Sequence, residues 1–459
     1  MERYKAFFYA LAIISGVSLF FGFWPPIIFF LFGKNRLEKI GFLLIAFFSF
    51  IQTLYLSPST PSNVEFGRGH FQLEKIKKRD DFYEYIGKLS LFITSESEFK
   101  NIPCTFNNKE LIKLSDTFII EGKIKPKFQK FELEIDRFLN QKKRFFFSYH
   151  RYLIKESVRK FLKSQIQDDT TYAFFASLAT GEIESKILGL KFSKVGLSHT
   201  LAISGFHYTW LIFFLSMILN CFLNKRSTYF FLLFFVSFYF LFIGETPSLN
   251  RAWITAIIFI AGYLLKKPVS GINSLGVALV GSLILNPFAL KEIGFQLSYL
   301  ATFAILAIHP SLEIYLRKFF PKREPVRFHF VLINFIRNSL SLLISVHLAT
   351  TSLLLYHFHY QSLLSLFFNL FFPFAMSLSM IGLLLSPLPY LGVYILKISV
   401  YFSKILLDMV YYGVDLMDFG IYVWNFPLDL LTSSLLLTMI LGIWLEEKRY
   451  YLTRINSFM

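Results

Sequence analysis

Cysteine is nearly absent from this chain of 459 residues, which holds only Cys104 and Cys221. Cys104 falls in a soluble stretch and Cys221 at the end of an apolar one, so the two cannot reach disulfide distance within one copy. Neither a disulfide framework nor a cysteine metal site is implied. Charge is scarce too, at 17% of residues, with 30 acidic side chains against 47 Lys and Arg. The chain contains no GxxxxGK[ST] stretch, which excludes the phosphate loop of an ATPase. It contains no HxHxDH cluster, which excludes the dinuclear metallohydrolase signature. No cofactor is indicated. The first apolar stretch lacks a small-residue cleavage site followed by soluble sequence, so it reads as a retained anchor despite Pro25 and Pro26.

Apolar side chains are abundant instead. They make up 54% of the chain, Phe alone contributes 59 residues, and the mean hydropathy is +0.52. That is more apolar surface than one soluble core hides, so lipid is the solvent for much of it. A hydrocarbon core of ~30 Å needs ~20 apolar residues per helix. Such stretches lie near 6 to 32, 40 to 56, 196 to 223, 227 to 243, 249 to 265, 268 to 286, 290 to 308, 331 to 355, 362 to 386 and 428 to 445, with a further span within 391 to 424. The fold expected is a predominantly α-helical polytopic membrane protein of about ten transmembrane helices.

The net charge of +17 is concentrated in alternate junctions. Lys34, Arg36 and Lys39 fill the first; Lys225 and Arg226, Lys266 and Lys267, the run Arg317, Lys318, Lys322, Arg323 and Arg327, and the tail with Lys448, Arg449 and Arg454 follow. Short basic loops stay on the cytoplasmic side. The junctions at 244 to 248, 287 to 289 and 356 to 361, with the whole of 57 to 195, then fall outside. Arg3 and Lys5 leave the side of the N-terminus ambiguous, and the alternation favours outside.

The outer segment has two parts. From about 86 to 138 short alternating runs, KLSLFITS, NIPCTF, DTFIIEGKIKP and KFQKFELEI, are punctuated by Asn107, Asn108 and Gly122, as in a small β-barrel or sandwich. From 141 to 166 aromatic residues interleave with Arg144, Arg151, Lys155, Arg159 and Lys163. A basic amphipathic helix of this kind lies along a membrane surface or touches phosphates, and the sequence leaves both open. The domain plan is a transmembrane hairpin at 1–58, an extracytoplasmic β domain at 59–138, a basic helical connector at 139–192 and a polytopic domain at 193–459.

Four polar clusters interrupt the apolar helices: His199, Ser204, Gly205 and His207; GETPSLNRA at 244–252; KEIGFQLSYLAT at 291–302; and ATTSLLLYHFHYQ at 349–361, followed by Asn369 and Pro373. On the charge-derived topology all four lie at the outer ends of their helices, which implies one outer vestibule. Arg251 falls about one turn into an apolar helix, where an unpaired cation is costly. It needs a partner, for which Glu245 and Glu292 are candidates, or an aqueous cavity where its fork suits phosphate. On a continuous helix, His199 and His207 stand roughly 80° apart, close enough to border one cavity, and Gly205 is a candidate break. No third ligand at suitable spacing supports a zinc site. Gln296, Ser298 and Asn369 suit hydrogen bonds between helices. His357 and His359 lack the partners of a metal site.

Together, GLSHTLAISGFH at 196–207, GETPSLNRA at 244–252, NPFALKEIGFQLSYLATFAI at 286–305 and LATTSLLLYHFHYQSLLSLFFNLFFP at 348–373 resemble, in order and spacing, the competence domain of the ComEC family of DNA-uptake channels. The resemblance covers about 190 to 375 well and 60 to 138 loosely, where it implies an OB-like domain, a fold suited to single-stranded nucleic acid. By position it places His199, Ser204, Gly205, His207, Ser248, Arg251, Gln296 and Ser298 among the family's channel motifs. There is one local departure: the family's later helix often has proline after its Ala-Thr, where this chain reads Thr350 and Thr351.

The resemblance implies passage of one DNA strand across the cytoplasmic membrane during natural transformation, without enzymatic activity. Many members continue into a metallo-β-lactamase-like nuclease domain, whereas this sequence stops at Met459, so a separate nuclease is expected, with an extracytoplasmic DNA receptor and a cytoplasmic ATPase. Two other readings stay open. One is a transporter of a smaller anionic solute. The other is a membrane enzyme on a lipid-linked substrate, with His199 or His207 as general base oriented by Glu245 or Glu292.

Overall fold

The computed structural model describes residues 4–20, 36–59, 61, 63–79, 82–94, 97–127, 130–140, 147–201, 203–320, 328–416 and 420–456. The chain divides into two compact units, one of Ile51–Lys163 and one of Met1–Phe50 with Ser164–Met459.

Two apolar helices come first, α1 (Lys5–Phe20) and α2 (Arg36–Leu56). The strands β1 (Glu65–Lys78), β2 (Tyr83–Thr94), β3 (Glu98–Asn108), β4 (Thr117–Lys127) and β5 (Lys130–Asn140) then close a barrel in the order β1-β2-β3-β5-β4. All pairings are antiparallel except β3 with β5, which run parallel at Cys104↔Phe131 and Thr105↔Glu132. This is an OB-like barrel, as the resemblance implied. β1 lay outside the alternating runs visible in the sequence. Two of its inward positions are Gly67 and Gly69, so the apolar alternation begins only at Phe71. The alternation puts Phe71, Tyr85, Leu89, Phe92, Ile102 and Ile120 in the barrel core. Tyr85 anchors a loop there, its hydroxyl accepting from the Ile112 N–H at 2.7 Å. Burial pushes the Cys104 thiol up to about 12.

The helix α3 (Phe147–Gln165) begins on this barrel. Asp116 accepts the N–H groups of Phe147 and Ser148, both at 2.9 Å, and so stands in for a capping residue. Tyr152 inserts into the barrel core. The exposed face of α3 carries Phe147, Leu153, Ile154, Lys160, Phe161 and Lys163. Not all of the basic residues expected there are on it. Lys155 is buried, and Arg159 is largely buried with Glu156 at 3.6 Å. Arg151 donates to the Glu74 carbonyl and lies over the Phe147 ring. Arg144 lies outside the described residues.

The second unit is helical. After α4 (Asp169–Thr180) and α5 (Lys186–Lys194) come α6 (Ser198–Leu201), α7 (Gly205–Phe222), α8 (Lys225–Ile243), α9 (Pro247–Leu264), α10 (Gly271–Leu285) and α11 (Ile293–Phe303). A π turn at Ala304–Ile308 leads into α12 (His309–Leu316), followed by α13 (Phe328–Phe358), β6 (Tyr360–Ser362), α14 (Leu364–Leu385), α15 (Leu391–Leu416), β7 (Gly420–Tyr422) and α16 (Leu428–Asn456). Among the described residues, seven helices are long and apolar enough to cross a membrane: 38–56, 205–222, 225–243, 293–316, 329–358, 364–385 and 428–449. α9 and α15 fall outside that set, α9 carrying Arg251 and α15 carrying Lys397, Lys404 and Asp408. The protein is a multi-pass membrane protein.

From α7 to α11 each helix packs on the next, and α7 packs on α9, α9 on α11, α11 on α13, α13 on α14 and α14 back on α7. These last five contacts close a ring. α14 and α15 approach closely, because Gly382 faces Ser399 and the hydroxyls of Ser379 and Ser403 lie 2.6 Å apart. Small residues permit such contact in lipid, where apolar surface gives no driving force of its own. Beside the ring, Arg337 is 2% exposed and donates through Nε to Glu313 at 3.0 Å; Glu313 also accepts from Arg317.

Candidate functional site

The apolar run at 196–223 is not one helix. It breaks between Leu201 and Gly205, and α7 starts afresh with Ser204 in extended backbone before it. The Ser204 N–H donates to His207 Nδ1 at 3.0 Å, with the Ser204 hydroxyl also 3.0 Å from that atom. The backbone donor fixes Nδ1 as the acceptor, so the proton sits on Nε2. His207 is 1% exposed, and its Nε2 faces the Thr200 carbonyl without reaching hydrogen-bond geometry.

The segment before the break leans on α14. Gly196 has φ of +73°, and a Cβ there would come 2.5 Å from that of Ser365. A side chain is excluded by both conformation and space. This brings His199 to α14, with the Asn369 side chain and His347 as its neighbours. His199 presents exposed surface. His347, one of the polar residues of α13, donates from Nδ1 to the Leu343 carbonyl at 2.9 Å, and its Nε2 lies 2.8 Å from Ser365 Oγ.

Across the ring, Arg251 stands in the second turn of α9 and donates through Nε to Ser298 Oγ of α11 at 2.8 Å. Its Nη2 lies against Gly205, where an added Cβ would be only 2.6 Å away. The carboxylate partners considered from the sequence are not used. Glu245 and Glu292 form no ion pair with Arg251, and the neighbouring group is the neutral phenol of Tyr299, itself 3.0 Å from Ser282 Oγ. A hydroxyl and a helix end therefore replace the expected ion pair. The guanidinium sits beside the positive ends of two helix dipoles, its own and that of α7, a placement that disfavours a cation by ~0.3–1 kcal/mol per helix end.

Gln296 bridges α11 to α13. Its amide donates to the Leu290 carbonyl at 2.7 Å, and its oxygen lies 3.3 Å from His357 Nε2. Ser248 sits half-buried in the first turn of α9 without a side-chain hydrogen bond among the described residues. Nearby in sequence, the buried Thr246 Oγ1 and Asn250 Oδ1 also lack partners. Buried polar atoms left open in this way are the exception in folded proteins.

The structure thus draws His199, Ser204, Gly205 and His207 together with Arg251 and Ser298 on one side and Asn369 on the other. His347, Ser365 and Tyr299 were not singled out from the sequence. A histidine inside the 331 to 355 stretch was the available signal.

A family model described as Competence protein matches residues 181–448, more than half of the chain. ComE operon protein 3 of Bacillus subtilis (strain 168) is 28% identical over 234 residues, which is 49% of this chain and 27% of that protein. The chain thus matches about a quarter of the length of that curated relative. No solved structure matches.

Proposed function

Because the chain belongs to the competence protein family, we propose that it is the inner-membrane component through which a single strand of DNA reaches the cytoplasm during natural transformation. One observation carries the reading: α7, α9, α11, α13 and α14 pack in a ring whose members are joined by polar contacts, Arg251 to Ser298, Gln296 to His357 and His347 to Ser365. Polar and ionisable groups in a membrane bundle mark a path for polar cargo. The similarity to ComE operon protein 3 of Bacillus subtilis is compatible with this role.

On this reading the protein conducts and does no chemistry of its own. An OB-like barrel suits a single strand through stacking and electrostatics, and the exposed Lys160 and Lys163 of α3 add cationic surface. The lipid bilayer is the second partner. A DNA receptor outside, an ATPase inside and a nuclease that removes the other strand complete the machinery. A transporter of a smaller anion shares the Arg251 site, and the same experiment separates the two. In a transformable host lacking this gene, DNA should still reach a protected state outside the membrane while delivery to the cytoplasm is lost. Unchanged cytoplasmic delivery overturns the proposal.

A further inference from the structure

We propose that Arg251 and the first turn of α7 form a fixed station for one phosphodiester group, an anion-selecting point of the path. The polymeric identity of the ligand rests on the function proposed above; the anion chemistry stands on the geometry.

The argument is electrostatic. Arg337 shows how this protein treats a structural arginine, since it is 2% exposed and holds the carboxylate of Glu313 at 3.0 Å. Arg251, also enclosed by protein, holds no carboxylate. Its Nε is used by Ser298, which fixes the plane of the guanidinium, and its Nη2 rests against Gly205, the first residue of α7. A guanidinium beside a helix N-terminus adds positive to positive, and the N–H groups of that turn that the Ser204–His207 capping box does not use have the same need for an acceptor. Both are answered by one anion, because a helix N-terminus binds phosphate through its free N–H groups and arginine binds it through its fork. The absence of a side chain at Gly205 is what lets charge and helix end share the ligand.

The opposite wall is neutral. His199, Asn369 and His347 offer donors and acceptors without a carboxylate or a second guanidinium, which suits the edges of bases and not another phosphate. One strand fits this division, backbone to Arg251 and bases to the imidazoles and the amide, whereas a duplex presents phosphates on both sides.

The test uses the full chain purified in lipid nanodiscs, with fluorescein-labelled oligo(dT) and inorganic tripolyphosphate as probes, titrated across salt. Arg251→Gln should weaken oligo(dT) binding about tenfold and flatten the slope of log K against log salt by about 0.7, the value for one single-strand phosphate. Arg251→Lys should keep the slope and lose part of the affinity, because a point charge replaces a fork. Gly205→Ala should weaken binding with the charge count unchanged, and it carries the test if Arg251→Gln fails to accumulate. Wild-type affinity and slope in Arg251→Gln overturn the station, as does failure of the unaltered protein to bind either probe. Tripolyphosphate binding that needs Arg251, without oligo(dT) binding, keeps the station and discards the DNA strand.

Discussion

Arg251 shows what a sequence can and cannot say about one residue. A cation one turn into an apolar helix is visible as a demand for a partner. Which partner is a matter of packing between α9, α11 and α7, and the structure supplies Ser298 and Gly205 in place of Glu245 or Glu292. Since no ion pair depends on it, Arg251→Gln should leave membrane abundance near normal, by immunoblot, while transformation falls at least tenfold. Glu313→Gln should behave oppositely. It strips a buried guanidinium of its carboxylate, costs about 3–5 kcal/mol, and should reduce the amount of folded protein recovered in detergent. The cysteines differ in the same local way. Cys104, held up at about 12 by burial, should resist maleimide at pH 8 until the barrel unfolds. Cys221 is exposed and should react in detergent without unfolding. Equal labelling of the two in folded protein contradicts the barrel core described.

At the scale of elements, periodicity located helices well and their interruptions less well. The 196 to 223 run reads as continuous because Ala202 and Ile203 are apolar, yet Ser204 ends one helix and caps the next. At Thr350 and Thr351, where the family resemblance implied a proline, α13 runs unbroken from Phe328 to Phe358. Each threonine hydroxyl donates to the carbonyl four residues back, at 2.8 and 2.7 Å, so both are satisfied within the helix. β1 was illegible because Gly67 and Gly69 occupy inward positions. Two elements invite direct tests. A Ser379→Cys, Ser403→Cys pair should crosslink α14 to α15, and adding Gly382→Leu, which forces a side chain onto Ser399, should abolish the crosslink. The α4 helix is capped by Asp168, whose carboxylate accepts from the Thr171 hydroxyl and N–H and is thereby held below its usual range. That contribution is present above the unfolded carboxylate value and disappears as pH falls through the lowered folded one. Asp168→Ala should cost about 1 kcal/mol at pH 7 and less near pH 3, read from thermal unfolding in detergent.

At the scale of the whole molecule, the order of four polar clusters and the alternation of basic junctions were legible, because both are written along the chain. The ring of α7, α9, α11, α13 and α14 was not, since closure depends on the return of α14 to α7 across more than a hundred residues. His347 and Ser365 link α13 to α14 within that ring. The central claim is that the polar side chains of these five helices face one water-filled passage. Its most direct measurement replaces Cys221 with serine, introduces Ser298→Cys, Asn369→Cys or, on α8, the outward Phe234→Cys, 64% exposed, and applies a membrane-impermeant thiol reagent to intact cells. Ser298→Cys and Asn369→Cys should be modified, with protection by added oligo(dT), and Phe234→Cys should not. If the two path positions stay as unreactive as the lipid-facing one, the passage described here does not exist.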